Sequence, residues 1–139
     1  IHHNNLINNI LAKIEANHAK VDDAIMLDLY GFVAETNATN IFMIKEKTVY
    51  TPYADACLPG ITRGLIIELC KENNIPIIEK NISVTELYNA DQVFTTGTMG
   101  ELAQVIEIDK RTINNKGNLL NELKQLFKKL TVDSGEKIT

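Results

Sequence analysis

Three short segments of the 139-residue chain carry groups whose types and spacing suit an anion and a charged ring. In Leu58-Pro59-Gly60-Ile61-Thr62-Arg63 a glycine immediately precedes the start of a helix. The first amides of a helix have no partner inside it and sit at the positive end of its dipole. Gly60 lets a ligand approach the backbone closely and Thr62 adds a hydroxyl, so the segment suits a phosphate group. An ordinary capped helix after a Pro-Gly turn has the same pattern. The second segment, Thr95 to Glu101, has three hydroxyls and two glycines. It follows an apolar strand, where ligand-binding loops of α/β sheets tend to lie. A hairpin or crossover turn with solvated hydroxyls is the alternative. Two such turns in one small domain favour a shared anionic ligand over either alone. Third, Glu35 closes the apolar run Phe32-Val33-Ala34. A carboxylate there can hold a protonated ring nitrogen by a charge-assisted hydrogen bond, although a solvated strand-end acid is the commoner fate of a single glutamate.

The other reactive types read more simply. His2 and His3 are solvent-facing residues near a chain end, and His18 closes an expected helix. Arg63 pairs with a carboxylate such as Glu68 or one on another chain. Tyr50, Tyr53 and Phe94 read as packing, and Lys128-Lys129 as the wet face of the last helix.

The elements that must position these groups follow from periodicity. Asn5 to Asn17 is expected as an amphipathic helix, with Leu6, Ile7, Ile10, Leu11 and Ile14 at three- and four-residue spacing. Ala24–Asp28, Phe32–Glu35, Ile41–Ile44 and Thr48–Tyr50 read as extended segments, the last two flanking the charged turn Lys45-Glu46-Lys47. Thr51-Pro52 stops the strand, and a helix runs from Thr62 to about Asn74. Ile75–Glu79 is a strand, and Ser83 or Thr85 caps a short helix containing Leu87 and Tyr88. Gln92–Thr95 and Ala103–Ile108 are strands, Asn114 to Gly117 a polar turn, and Leu119–Leu130 a closing helix with a fraying polar tail from Thr131. The mixture is α/β, with antiparallel pairing early and room for parallel pairing after Pro59.

Composition narrows the classes. Hydrophobic residues at 45% and charged residues at 23% are ordinary globular proportions. A formal charge of −4 argues against a nucleic-acid surface. Cys57 and Cys70, the only cysteines, form no CxxC and have no nearby histidine set, so a reducing, cytoplasmic setting without metal is expected. No apolar run has the length of a membrane span. The first residue is Ile1 rather than Met, which suggests a piece of a longer protein.

Four blocks, in order, resemble the C-terminal half of class IV pyridoxal-phosphate aminotransferases: NNILAKIEAN, DAIMLDLYGFVAETNATNIFMI, YTPYADACLPGITRG and ADQVFTTGTMGELAQVIEID. That family includes branched-chain aminotransferases, D-amino-acid aminotransferases and aminodeoxychorismate lyases. The resemblance implies the fold-type IV C-terminal domain over residues 1–139, a mixed sheet wrapped by helices, with an N-terminal domain outside this chain. It implies pyridoxal 5'-phosphate as cofactor, amino acid and 2-oxo acid as substrates, and a homodimer or higher homo-oligomer. Glu35 resembles the glutamate that bonds the pyridine nitrogen. Gly60, Ile61 and Thr62 resemble the phosphate-binding start of a helix, and Gly97 and Thr98 the turn that completes it. The backbone amides of Thr98 and Met99 would face the substrate carboxylate. Leu58 resembles the residue packed against the ring, and Asn40 an asparagine near it.

The sequence departs from the family at one chemical centre. The lysine that holds the cofactor covalently belongs three residues before Asn5, where this chain has His2; one residue earlier is Ile1. Imidazole does not form that bond. The resemblance therefore implies transamination, most naturally of branched-chain amino acids with 2-oxoglutarate. A D-amino-acid aminotransferase, the lyase, or a noncatalytic domain that keeps the cofactor fold are the alternatives.

Overall fold

A computed structural model describes residues 7–16, 22–28, 32–36, 40–53, 61–96 and 102–138. Among them are ten strands and three helices. The strands are β1 (Ile7–Ala16), β2 (Asp22–Asp28), β3 (Phe32–Thr36), β4 (Ile41–Lys45) and β5 (Thr48–Thr51), then, after α1 (Ile61–Glu72), β6 (Ile77–Glu79) and β7 (Ile82–Ser83). The rest is α2 (Val84–Tyr88), β8 (Gln92–Thr96), β9 (Leu102–Ile108), β10 (Arg111–Thr112) and α3 (Leu119–Ile138). The strands join in the order β6-β5-β4-β8-β9-β1-β2-β3-β7, with β10 beside β9. β5 and β6 run parallel and the remaining pairs antiparallel, so the sheet is mixed, as expected.

The expected first helix is a strand. β1 hydrogen-bonds between β2 and β9, with a register shift between Asn8 and Leu11. Past that irregularity the sequence alternates, with apolar Ala12, Ile14 and Ala16 separated by Lys13 and Glu15, the strand period. A short run rich in isoleucine fits either period, and pairing on both edges decides it. The other difference is at the far end. α3 continues to Ile138, beyond the expected fraying at Thr131. The two-residue strands β7 and β10 were too short to carry a pattern.

The central strands are buried on both faces, which explains the unbroken apolar run of β4. Ile41 and Met43 pack with Ile25, Val33, Ile82, Leu87, Val93, Val105 and Ile108. Phe42 and Ile44 point the other way, into a second cluster with Ile66, Leu69, Phe94, Leu120, Leu123 and Phe127. α1 and α3 therefore cover one face of β4 and β8, while β2, β3 and α2 close the other. Phe42 and Phe94 stack across the β4–β8 pair with ring centroids 4.9 Å apart. Cys70 is buried in the second cluster, and burial pushes its thiol up to about 11, so it stays protonated and acts as packing.

Two hairpins use turns that the sequence disguises. Glu46 and Lys47, and again Asp109 and Lys110, take positive φ between directly paired strand ends. Two-residue hairpins of this hand usually carry Asn-Gly. At the first turn the Asp91 carboxylate accepts a hydrogen bond from the Glu46 N–H at 2.8 Å, which offsets some of the strain. Gln92 is buried beneath α3, accepting from the Leu120 N–H at 3.1 Å and donating to Asn115 at 2.7 Å. One side chain thereby satisfies a helix-start donor that α3 cannot satisfy itself. No helix among the described residues is long and apolar enough to cross a membrane.

Candidate functional site

The ends of four strands and the start of one helix are tied together at a single rim of the sheet. Asn40, which leads into β4, donates its N–H to the Thr96 hydroxyl at 3.2 Å, and the Thr96 N–H donates back to the Asn40 carbonyl at 3.0 Å. Thr96 is the last residue of β8. Beside them the Thr51 hydroxyl, at the end of β5, donates to the Ile41 carbonyl at 3.0 Å. The Lys80 N–H donates to the Thr51 carbonyl at 3.0 Å and joins the end of β6 to the same rim. Finally, Arg63 in the first turn of α1 donates to the Pro52 carbonyl at 2.9 Å and pairs with the Glu79 carboxylate.

This rim brings several of the sequence-derived residues together. Asn40 is buried against Thr96. Ile61 and Thr62 begin α1, held next to the ends of β5 and β6 by their neighbour Arg63. Ile61 is 86% exposed and Thr62 half-buried. Glu35 is described through its backbone, in β3 opposite Met26 of β2. It lies five positions before Asn40, a span of at most about 18 Å. Leu58, Gly60, Gly97, Thr98, Met99 and His2 lie outside the described residues, although Thr98 follows Thr96 by only two residues. Of the other expectations, Arg63 pairs with Glu79 rather than Glu68, and Ser83 rather than Thr85 caps α2. Phe94 is core, while Tyr53 is 44% exposed next to the rim.

Sequence reasoning missed Thr51, Glu79 and the role of Arg63. A signal was present at Arg63. Helices favour acids in their first turn, yet α1 has none there and places a cation instead.

The donor set at the start of α1 suits a phosphoryl anion. The helix contributes its first amides, no carboxylate in its first turn competes for them, and Thr62 is partly exposed. Arg63 is 6% exposed, and its Nε has no hydrogen-bond partner among the described residues. Glu79 neutralises that guanidinium and so is kept from opposing an anion. The size of a cavity does not locate this site. A cleft of about 710 Å³ opens at the opposite end of the sheet, lined by Glu46, Asn74, Pro76, Lys116 and Asn118 among others. None of the described residues of the three chemistry-bearing segments lines it.

Comparison with known proteins gives the family. The model of the family described as amino-transferase class IV matches residues 1–108. Branched-chain-amino-acid aminotransferase-like protein 2 of Arabidopsis thaliana is 58% identical over 99% of this chain and 25% of its own length. A putative branched-chain-amino-acid aminotransferase of Methanocaldococcus jannaschii is 44% identical over 96% of this chain and 48% of its own. Among solved structures, the branched-chain aminotransferase of the thermophilic archaeon Thermoproteus uzoniensis, with norvaline, superposes with a TM-score of 0.75. It is 35% identical, over 83% of this chain and 39% of that one. The chain thus spans half or less of the length of each of these proteins. With the match running from the first residue through β9, and the same fold in a solved relative, the chain belongs to the class IV aminotransferase family.

Proposed function

We propose that residues 1–139 form the C-terminal, cofactor-binding domain of a pyridoxal-phosphate-dependent aminotransferase acting on branched-chain amino acids, with 2-oxoglutarate as the acceptor and a homodimer or higher homo-oligomer as the assembly. The observation that carries the reading is the anchored, acid-free start of α1 at the same rim as Asn40 and Thr96. The amides of Ile61 and Thr62, with the hydroxyls of Thr62 and Thr98, would hold the cofactor phosphate. Glu35 would keep the proton on the ring nitrogen through a charge-assisted hydrogen bond. When bound, the cofactor supplies an electron sink for charge developing at the substrate α-carbon. The backbone amides of Thr98 and Met99 would orient the substrate carboxylate, and Leu58 would pack against the ring. The substrate class rests on the names of the relatives.

His2 separates binding from turnover. The groups named above would serve to hold the cofactor, whereas moving the α-proton calls for an amine at the ring, and His2 stands at that position. In the intact protein, borohydride treatment should therefore leave the bound cofactor unattached to residue 2. His2→Lys should give a reducible, covalently fixed cofactor and raise transamination of valine, leucine and isoleucine by about 10²-fold or more. Mass spectrometry of the reduced protein reads the first and a coupled 2-oxoglutarate assay the second. A His2→Lys protein that binds the cofactor but fixes none would remove residue 2 from the site. One that shows no cofactor binding at all would remove the whole reading.

A further inference from the structure

We infer that Arg63, Glu79 and the Pro52 carbonyl form a clamp that sets the first turn of α1 for phosphate, making Arg63 and Glu79 positioning residues. The inference rests on the reading that α1 takes the cofactor phosphate.

Three observations carry it. Arg63 is buried in a helical turn where a cation opposes the dipole, so neither local helix stability nor solvation accounts for its placement. Its guanidinium reaches two acceptors on two different strands: the carbonyl just past the end of β5, and the carboxylate that ends β6. Those strand ends are level, since Thr51 pairs with Glu79 in the parallel register and Lys80 bonds back to Thr51. Both bonds come from one terminal nitrogen, Nη2, which the arginine side chain carries between the two strand ends; lysine is one atom shorter and does not bring its ammonium to the same point. Third, the Nε is without a partner among the described residues, so the contacts described for the guanidinium run to those two strand ends.

Ile61 and Thr62 immediately precede Arg63 in the same turn. Helical geometry allows only about 1.5 Å of rise per residue, as in any α-helix, so fixing Arg63 fixes their amides. Anion binding by backbone amides depends on aim, and a displacement of about 1 Å is enough to weaken it severely. Clamping the turn to two strands sets that aim before any ligand arrives.

The sign of one substitution separates positioning from simple electrostatics. Removing a carboxylate beside an anion site strengthens anion binding if charge alone matters. Removing part of a clamp weakens it. Titration of the intact protein with pyridoxal 5'-phosphate and with pyridoxal, which lacks the phosphate, gives a ratio, the Kd of pyridoxal over the Kd of its phosphate ester, that isolates the phosphate's share. Glu79→Ala should lower that ratio about tenfold while leaving pyridoxal affinity within about twofold. Glu79→Gln, whose amide oxygen still accepts from Arg63, should stay within about twofold of the parent ratio. Arg63→Lys, which keeps the charge and shortens the reach, should fall with Glu79→Ala. An unchanged or raised ratio in Glu79→Ala overturns the clamp, as does an unchanged ratio in Arg63→Lys. A parent protein that binds pyridoxal as tightly as its phosphate ester overturns the phosphate reading itself, and the clamp with it.

Discussion

α1 and α2 begin in opposite ways. α2 is five residues long and closes its own start. The Ser83 hydroxyl accepts from the Glu86 N–H at 3.1 Å, and the Glu86 carboxylate accepts from the Ser83 N–H at 2.9 Å. This reciprocal box uses acid where the helix dipole favours it, and Lys80 adds a charge partner. α1 is twelve residues long, has no acid in its first turn, and is fastened by a cation to strands outside the helix. A helix that has only to exist is capped by its own residues. On the proposed reading the amides of α1 serve a ligand, and that helix is held from elsewhere.

The largest separation between the two should come from Thr62→Ala. Loss of a hydroxyl donating to a phosphate dianion should weaken cofactor retention about tenfold. Thr62 is only half-buried, so the melting temperature of the ligand-free protein should barely move. Equilibrium dialysis against pyridoxal 5'-phosphate measures the first and thermal unfolding the second. Retention equal to the parent would strike Thr62 from the site, and α1 would then differ from α2 only in architecture.

Ser83→Ala is the mirror experiment. It deletes the acceptor for the Glu86 N–H, and caps of this kind are worth about 1 kcal/mol. Denaturant unfolding should show that loss with no change in cofactor retention, because α2 packs under β3 and β4 and not at the rim. A fall in cofactor affinity at constant stability would mean that α2 also serves the ligand, and the contrast would fail.

How much of this was legible beforehand follows the same division. Ser83, Glu86 and Leu87 lie within one turn of each other, so α2 was readable from local sequence, with its cap narrowed to Ser83 or Thr85. So were β4 and β5, whose apolar runs flank a charged turn, and Thr62 at the head of α1. β1 was not readable. Its isoleucines satisfy a helical spacing until a bulge resets the phase, and only pairing with β2 and β9 selects a strand. The anchoring of α1 was hidden for a related reason. Arg63 and Glu79 are sixteen positions apart, and their meeting depends on the parallel register of β5 and β6. Thr51 and Thr96 acquire their roles in the same way, from strands separated in sequence. Local chemistry announced the candidate ligand groups, and long-range topology supplied what holds them.

The smallest effect sharpens the contrast by titration. Burial pushes the Glu86 carboxyl up, but the Lys80 hydrogen bond, the Ser83 N–H and the Lys80 charge outweigh it and hold its pKa below the ordinary 4.5. A depressed folded-state pKa contributes stability that is fully present above the unfolded value and is lost as pH falls through the folded one. The stability difference between the parent and Glu86→Gln should therefore be level at neutral pH and shrink below about pH 4.5, where the carboxylate takes up its proton. Its size should stay below that of Ser83→Ala, because the carboxylate is partly exposed and the Lys80 pair is screened. Denaturant midpoints from about pH 7 to about pH 3 for both proteins read the difference directly, since groups common to the two cancel. A difference that persists unchanged at the acid end would show that Glu86 supports α2 through shape and not charge. The helix dipole would then explain neither the acid at the start of α2 nor its absence from the start of α1.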